Sequence, residues 1–367
     1  MATTMPGAVP GILAVQQIKA LAEAGGISAE RAFDADQIQP ASVDLRLGRV
    51  AYRVRASFLP GPELSVADKV RDLTLHEIDL STGAVLETGC VYIVPVLESL
   101  ALPAGMSASA NPKSSTGRLD VFTRVIVDKA RAFDTIPAGY HGPLYIEISP
   151  RTFPVLVRAG SRLSQIRFRC GDARLDDVAL SALHAREAIV DGVPVLHDGL
   201  SLSIDLEGVD GLVGYRAKRH TAVVDVDRKA GLDVLDFWEP IDGRGRRSLI
   251  LDPDEFYILV SREAVHVPPD YAAEMVPFDP LVGEFRVHYA GFFDPGFGHS
   301  AAGGAGSRAV LEVRSHEVPF ILDHGQIIGR LVYEAMSERP ERLYGQDIGS
   351  NYQAQGLKLS KHFRNAI

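Results

Sequence analysis

Six consecutive residues, Lys113-Ser114-Ser115-Thr116-Gly117-Arg118, concentrate more chemistry than any other stretch of this sequence. Hydroxyls and turn amides donate hydrogen bonds to phosphate oxygens, the Arg118 guanidinium offers a planar fork, and the Lys113 ammonium adds a compact charge. The set suits a polyphosphate. An ordinary exposed Ser/Gly loop has the same composition, so the stretch points to a ligand only in company with other residues. Two glutamates are the next candidates, because Glu147 in Leu-Tyr-Ile-Glu-Ile and Glu312 in Val-Leu-Glu-Val-Arg each interrupt an apolar β run. A carboxylate desolvated among aliphatic side chains is a better proton acceptor; strand alternation equally allows a Glu that faces solvent. Asp134 and Asp294 are the carboxylates that could instead activate water at a phosphate. The basic cluster Arg216, Lys218, Arg219 and His220 reads as a solvated strand end, with steering of an anionic ligand as the lesser alternative. The Gly-rich run His299 to Ser307 lacks the Lys-Ser/Thr and strand-to-helix setting of a phosphate loop and reads as a hairpin tip. Phe237 and Trp238 read as packing residues.

Bulk properties bound these readings. A chain of 367 residues suits two domains of ordinary size better than one core. A formal net charge of −9 argues against a broad surface for nucleic acid while leaving room for one basic pocket. The only two cysteines, Cys90 and Cys170, cannot build a disulfide framework, which fits a reducing, cytoplasmic setting. They also exclude a zinc nucleobase deaminase, whose metal needs a His/Cys-x-Glu pair together with Pro-Cys-x-x-Cys. No leader is expected at the N-terminus, and no run reaches the roughly 18 apolar residues of a membrane helix, so no membrane association is expected.

Ile12, Val15, Ile18 and Leu21 share one helical face, and Gly25-Gly26 follows, which predicts a helix over 11–24. Short β-rich runs then follow at 42–47, 90–96, 124–127, 144–148, 154–157 and 163–168, separated by turn residues. Such a pattern predicts a mainly β sandwich or barrel rather than a dinucleotide-binding sheet. A helix-capable piece at 181–189 and the turn-rich stretch after it suggest a domain boundary. The expected division is a first domain over 1–178, a linker over 179–199 and a second domain over 200–367. The halves also resemble each other in order: Glu87 to Ala108 matches Asp252 to Ala273, the Glu147 run matches the Glu312 run, and Ala159 to Phe168 matches His324 to Glu334. A duplication is the expectation.

Four spaced motifs make the chain similar to a known family. Gln39-Pro40-Ala41-Ser42-Val43-Asp44-Leu45-Arg46-Leu47-Gly48 resembles the opening strand of dCTP deaminases, and Lys113 to Arg118 resembles their Arg-Ser-Ser-x-x-Arg segment. Gly139-Tyr140-His141-Gly142 followed by Glu147 resembles their turn and glutamate strand. Tyr344 with Ser350-Asn351-Tyr352-Gln353-Ala354-Gln355 resembles the C-terminal segment that folds over nucleotide. The resemblance implies tandem dUTPase-like distorted β-barrel domains with a few short helices. It also implies deamination of dCTP to dUTP without zinc, Mg²⁺ bound through the substrate triphosphate, and a homotrimer with pockets at domain interfaces.

The halves have kept different motifs. The first has the Ser-Ser-Arg segment, with Lys113 where Arg is usual and Asp120 where Gly is usual. The second lacks it near Val276 to Gly283 but has Ala290-Gly291-Phe292-Phe293-Asp294-Pro295-Gly296, similar to the family's Ile-Asp-Pro-Gly-Trp turn, and it owns the tail. In the family, the phosphate segment and the base-binding hairpin of one pocket come from neighbouring subunits. A composite pocket is therefore expected, with Lys113, Ser114, Ser115 and Arg118 on the phosphates and Ala290, Asp294, Tyr344, Asn351, Tyr352 and Gln355 around the rest of the nucleotide. Glu312 is then the first expectation for general base, Glu147 the second, with Ser114 and Arg118 assisting. The alternatives are a dUTP pyrophosphatase or bifunctional enzyme, and a catalytically silent nucleotide-binding regulator.

Overall fold

A computed structural model describes residues 9–243, 245, 247–277, 285–287, 291–315, 317–345 and 356–364. The chain divides into two compact units. The first comprises 1–173 with 222–231 and 336–341; the second comprises 174–221, 232–335 and 342–367. Both are mainly β, as the run lengths predict. Among the described residues no helix is long and apolar enough to cross a membrane.

In the first unit, two sheets carry the site residues. One joins Val43–Arg46, Arg162–Cys170, Met106–Pro112 and Thr135–Ile136; the other runs through Thr74–Asp79, Val50–Val54, Val91–Ala101, His141–Pro150 and Val121–Val127. Ile93, Val125, Ile146, Ile148, Leu163, Ile166 and Phe168 are buried in its core. The N-terminal helix is shorter than expected, Val15–Glu23, because Gly11–Ile12 is drawn out as an edge strand against Arg169 and Cys170. Gly11 is required there by close approach, since a Cβ would fall 2.3 Å from the Ser337 amide nitrogen.

The duplication is visible in strand register. Glu147 lies opposite Ile93 and Glu312 opposite Ile258; Tyr92 Oη accepts from the Glu87 amide and Tyr257 Oη from the Asp252 amide, both at 3.0 Å. A strand-holding carboxylate repeats as well, buried in the first half and half-buried in the second. Glu98 accepts from the Arg46 amide and Nε, at 2.9 and 2.8 Å, while Glu263 accepts from the Ser203 amide at 2.8 Å and from its hydroxyl.

The expected boundaries need correction. Residues 179–199 are no spacer: helix Asp177–Arg186 buries Leu180 and Leu183 in the second unit's core, together with Ile189 and Val190. That helix also starts four residues earlier than the expected 181–189, because Asp176 caps it by accepting from the Ala179 amide. The first unit ends at Ala173, since Leu175 already bonds the Tyr333 carbonyl. It also recruits 222–231 and 336–341, which composition could not assign.

The repeated carboxylates should differ in worth. Glu98→Ala leaves the buried Arg46 guanidinium with only the longer Asp34 carboxylate contact at 3.6 Å and should cost about 3–5 kcal/mol, whereas Glu263→Ala removes bonds to neutral donors and should cost about 1–3 kcal/mol. Urea titration of both variants measures this, and equal losses would contradict it.

Candidate active site

Lys113 to Arg118 form the turn between Met106–Pro112 and Val121–Val127. The Lys113 amide donates to the Leu163 carbonyl, and the Lys113 carbonyl accepts from the Thr116 and Gly117 amides at 2.7 and 3.0 Å. One helical turn, Ser114–Gly117, results. Ser115, Thr116 and Arg118 are buried, while Lys113 and Ser114 are partly exposed. Asp120 takes a left-handed conformation (φ 56°) that explains why Gly is usual there. Its carboxylate accepts from the Thr152 hydroxyl.

Lys113 is not a loose cation. Its ammonium is paired with Asp44 of the Val43–Arg46 strand, and Asp44 lies 3.6 Å from Arg162, which also holds Asp34 and Asp36 at 2.6 and 2.9 Å. The hydrogen bond from Arg162 keeps both of those carboxyls below the usual carboxylate range. Asp44 is 1% exposed.

Glu147 sits on His141–Pro150, 1% exposed, directly opposite Arg124 of Val121–Val127. Arg124 Nε donates to Glu147 Oε1 at 3.1 Å, and Nη2 donates to the same oxygen. The guanidinium is stacked between the rings of Phe122 and Phe133, 4.6 and 3.6 Å from their centroids, and reaches the Ser57 hydroxyl at 2.9 Å. Glu147 Oε2 is shielded and accepts no hydrogen bond from a described residue. One oxygen is thus fixed by Arg124, and the other is engaged by no described residue. The turn before it is built around Tyr140, whose hydroxyl donates to the Pro143 carbonyl at 2.7 Å and is pushed up to about 12 by burial. Gly142 leaves that hydroxyl room, since a Cβ would lie 2.6 Å from it.

In the second unit, Glu312 is buried on Ser307–Ser315, and Asp294 is buried in the turn before it. Tyr344 reaches that turn: its amide donates to the Pro295 carbonyl at 2.8 Å and its ring lies 5.6 Å from Phe297. Ala290, Asn351, Tyr352 and Gln355 lie outside the described residues. The first unit therefore gathers Lys113, Ser114, Ser115, Arg118 and Glu147, and the second Glu312, Asp294 and Tyr344.

Other candidates resolve as the plainer reading of each. Arg216 pairs with Glu239 and Arg219 with Glu255; Phe237 and Trp238 pack against Phe363; His299 closes a turn by accepting from the Ala301 amide. Asp134 is used to hold its hairpin, accepting from the Val125 amide at 2.7 Å. Arg124, Phe133 and the role of Asp44 were not legible in the sequence, because pairing across strands depends on a register that a linear pattern does not fix.

A β-rich unit that carries both a phosphate-suited turn and an oriented, buried carboxylate fits a nucleotide-pocket hydrolase. Comparison with known proteins makes this specific. Residues 9–172 match the family model of the 2'-deoxycytidine 5'-triphosphate deaminase N-terminal domain, and 176–363 match that of its C-terminal domain. The crystal structure of 2'-deoxycytidine 5'-triphosphate deaminase from Agrobacterium tumefaciens is 70% identical, with a TM-score of 0.87 over 91% of this chain and 100% of that one. A dCTP deaminase of Haloarcula marismortui is 34% identical over 149 residues, 40% of this chain and 73% of that protein. A "dCTP deaminase, dUMP-forming" of Corynebacterium glutamicum is 31% identical over 159 residues, 42% of this chain and 78% of that protein. The chain belongs to the dCTP deaminase family.

The docking of the tail onto the Asp294 turn rests on Gly296, whose φ is +95° and whose added Cβ would lie 2.9 Å from Leu343 Cβ. Gly296→Ala should cost about 1–3 kcal/mol and speed proteolysis beyond Leu343. Gly303→Ala, at φ +77° with open space around it, should show the backbone strain alone, about 1–2 kcal/mol. Identical proteolysis rates in the two variants would rule out the close approach as the cause.

Proposed function

We propose that this chain hydrolyses dCTP to dUTP and ammonia with Glu147 as general base, Lys113 to Arg118 on the triphosphate, and no zinc. The observation that carries the reading is the Glu147 carboxylate, held through Oε1 by Arg124 with Oε2 shielded and unengaged, on the same unit as the phosphate turn.

Water adds to C4 of the cytosine ring while Glu147 takes its proton, and the same carboxyl returns a proton to the departing amine. Water and dCTP are thereby balanced by dUTP and ammonia. Mg²⁺ on the triphosphate offsets repulsion among its oxygens. The Arg118 fork and the Ser114 and Ser115 hydroxyls bind what remains accessible.

A homotrimeric assembly would also rank the two glutamates. In a homotrimer, each ring around the threefold axis is filled by symmetry-equivalent units, and three positions cannot alternate two kinds of unit. A phosphate turn of the first unit then meets a first unit of the next chain, so its partner glutamate is Glu147. The expectation that put Glu312 first is therefore reversed in this proposal.

Glu147→Gln should bind dCTP and lose turnover by roughly 10²–10⁴-fold, while Glu312→Gln stays near the parent rate; the opposite result would restore the composite pocket. Arg124→Gln should lower kcat by about 10- to 100-fold through misplacement of the carboxylate, with KM little changed. Chromatography of the dCTP reaction separates the remaining alternatives. Dominant dUMP would mark a dUMP-forming enzyme like the Corynebacterium glutamicum relative, and unchanged dCTP would mark a silent binding protein. Chelation of zinc with Mg²⁺ kept in excess should leave the rate unchanged.

A further inference from the structure

The first unit contains a small sheet with a guest strand. Val155–Val157 pairs antiparallel with Ala84–Leu86, with Leu156 opposite Val85, and on its other side takes Val224–Asp225 in parallel. The Val224 and Val226 amides donate to the Pro154 and Leu156 carbonyls at 3.0 and 3.2 Å, and both valine side chains are buried. Arg158 secures the guest through Asp225, at 2.8 and 2.9 Å, and Asp227, at 3.2 Å.

Among the described residues, the second unit repeats this sheet without the guest. Phe320–Asp323 pairs with Ser248–Leu251 in the same register, with Ile321 opposite Ile250. Leu251 and Leu322 are buried, yet the directly opposed Ile250 and Ile321 are 57% and 60% exposed. Among the described residues no third strand lies on Phe320–Asp323. A proline at an edge usually discourages pairing. Pro319 does not, because Pro154 stands at the corresponding place and takes the guest through its carbonyl, which proline retains.

We infer that the Phe320–Asp323 edge receives an extended segment of a partner protein, added in parallel and alternating β-branched with basic residues. The β-branched residues follow from the exposed isoleucine pair and the Val224/Val226 precedent. The basic residues follow from charge. Asp323 stands where the first unit has Arg158, and Glu317 is exposed at the other end of the segment, so the edge is acidic where its counterpart is basic. A strand like Val224–Asp227 would be repelled there. The inference is independent of which glutamate is the base.

Two labelled octapeptides test it on the full chain by fluorescence anisotropy: Thr-Ala-Val-Val-Asp-Val-Asp-Arg, which is the sequence of residues 221–228, and the same peptide with Lys for both Asp. The lysine peptide should bind at least about tenfold more tightly, and N-methylation of the second Val amide, which blocks strand addition while keeping charge, should abolish binding. Asp323→Arg should invert the preference between peptides, and Ile321→Lys should eliminate both. Equal binding of the two peptides, or indifference to N-methylation, overturns the inference. Absence of binding overturns it as well. If, in that case, Ile321→Lys also lowers the mass measured by light scattering, the edge is instead covered by a second copy of this chain.

Discussion

A carboxylate sealed inside the first unit organises the strand that holds Lys113. Glu98 is fully buried, and an isolated charge there would be prohibitively unstable. It is tolerated because Arg46 supplies its amide and Nε and Gln37 supplies Nε2. Arg46 in turn is anchored to the carbonyls of Arg31 and Ala32. This bonding fixes the Val43–Arg46 strand, and with it the neighbouring Asp44 that grips Lys113. The polar network thus sets the level of the phosphate turn, although that turn is remote in sequence. In the second half Glu263 is answered by Ser203, so the corresponding strand, Leu200–Ser203, is held by neutral donors.

The two halves show how one scaffold tolerates divergence. Both keep a buried glutamate opposite an isoleucine and a tyrosine accepting from an amide five residues earlier, because these features belong to the packing of the central strands. What differs lies at the turns, where substitutions cost little packing energy. Arg124 illustrates the point: its guanidinium is sandwiched by Phe122 and Phe133, so the rings that shape the hairpin also limit where Glu147 can point.

Much of this was readable in the sequence. The β runs at 124–127, 144–148 and 163–168 fall within observed strands because their apolar residues fill cores directly. Met106–Pro112 escaped notice, since Met-Ser-Ala-Ser-Ala-Asn-Pro is small and polar and becomes a strand only because Arg162–Cys170 and Thr135–Ile136 pair with it. The turn at Lys113 to Arg118 and the burial of both glutamates were legible through residue types and spacing. Asp44 and Arg124 were not, because their roles arise from cross-strand neighbours. The boundary near 178 was misplaced for a related reason: helix Asp177–Arg186 looks like a connector in composition, and its burial of Leu180 and Leu183 depends on strands much later in the chain.

The first unit's borrowed segments carry a consequence for how the protein is made. Its parallel strand comes from 222–231, and its N-terminal edge is held by Ser337, which donates to the Ile12 carbonyl through both its amide and its hydroxyl. A chain emerging from the ribosome cannot complete this unit when residue 173 appears; it must wait until nearly the whole second unit has been synthesised. Domains that close early fold one after another during translation. Here the order is entangled, so a chain cut after residue 173 lacks pieces of its own first unit, and the fused halves are committed to maturing as one gene product.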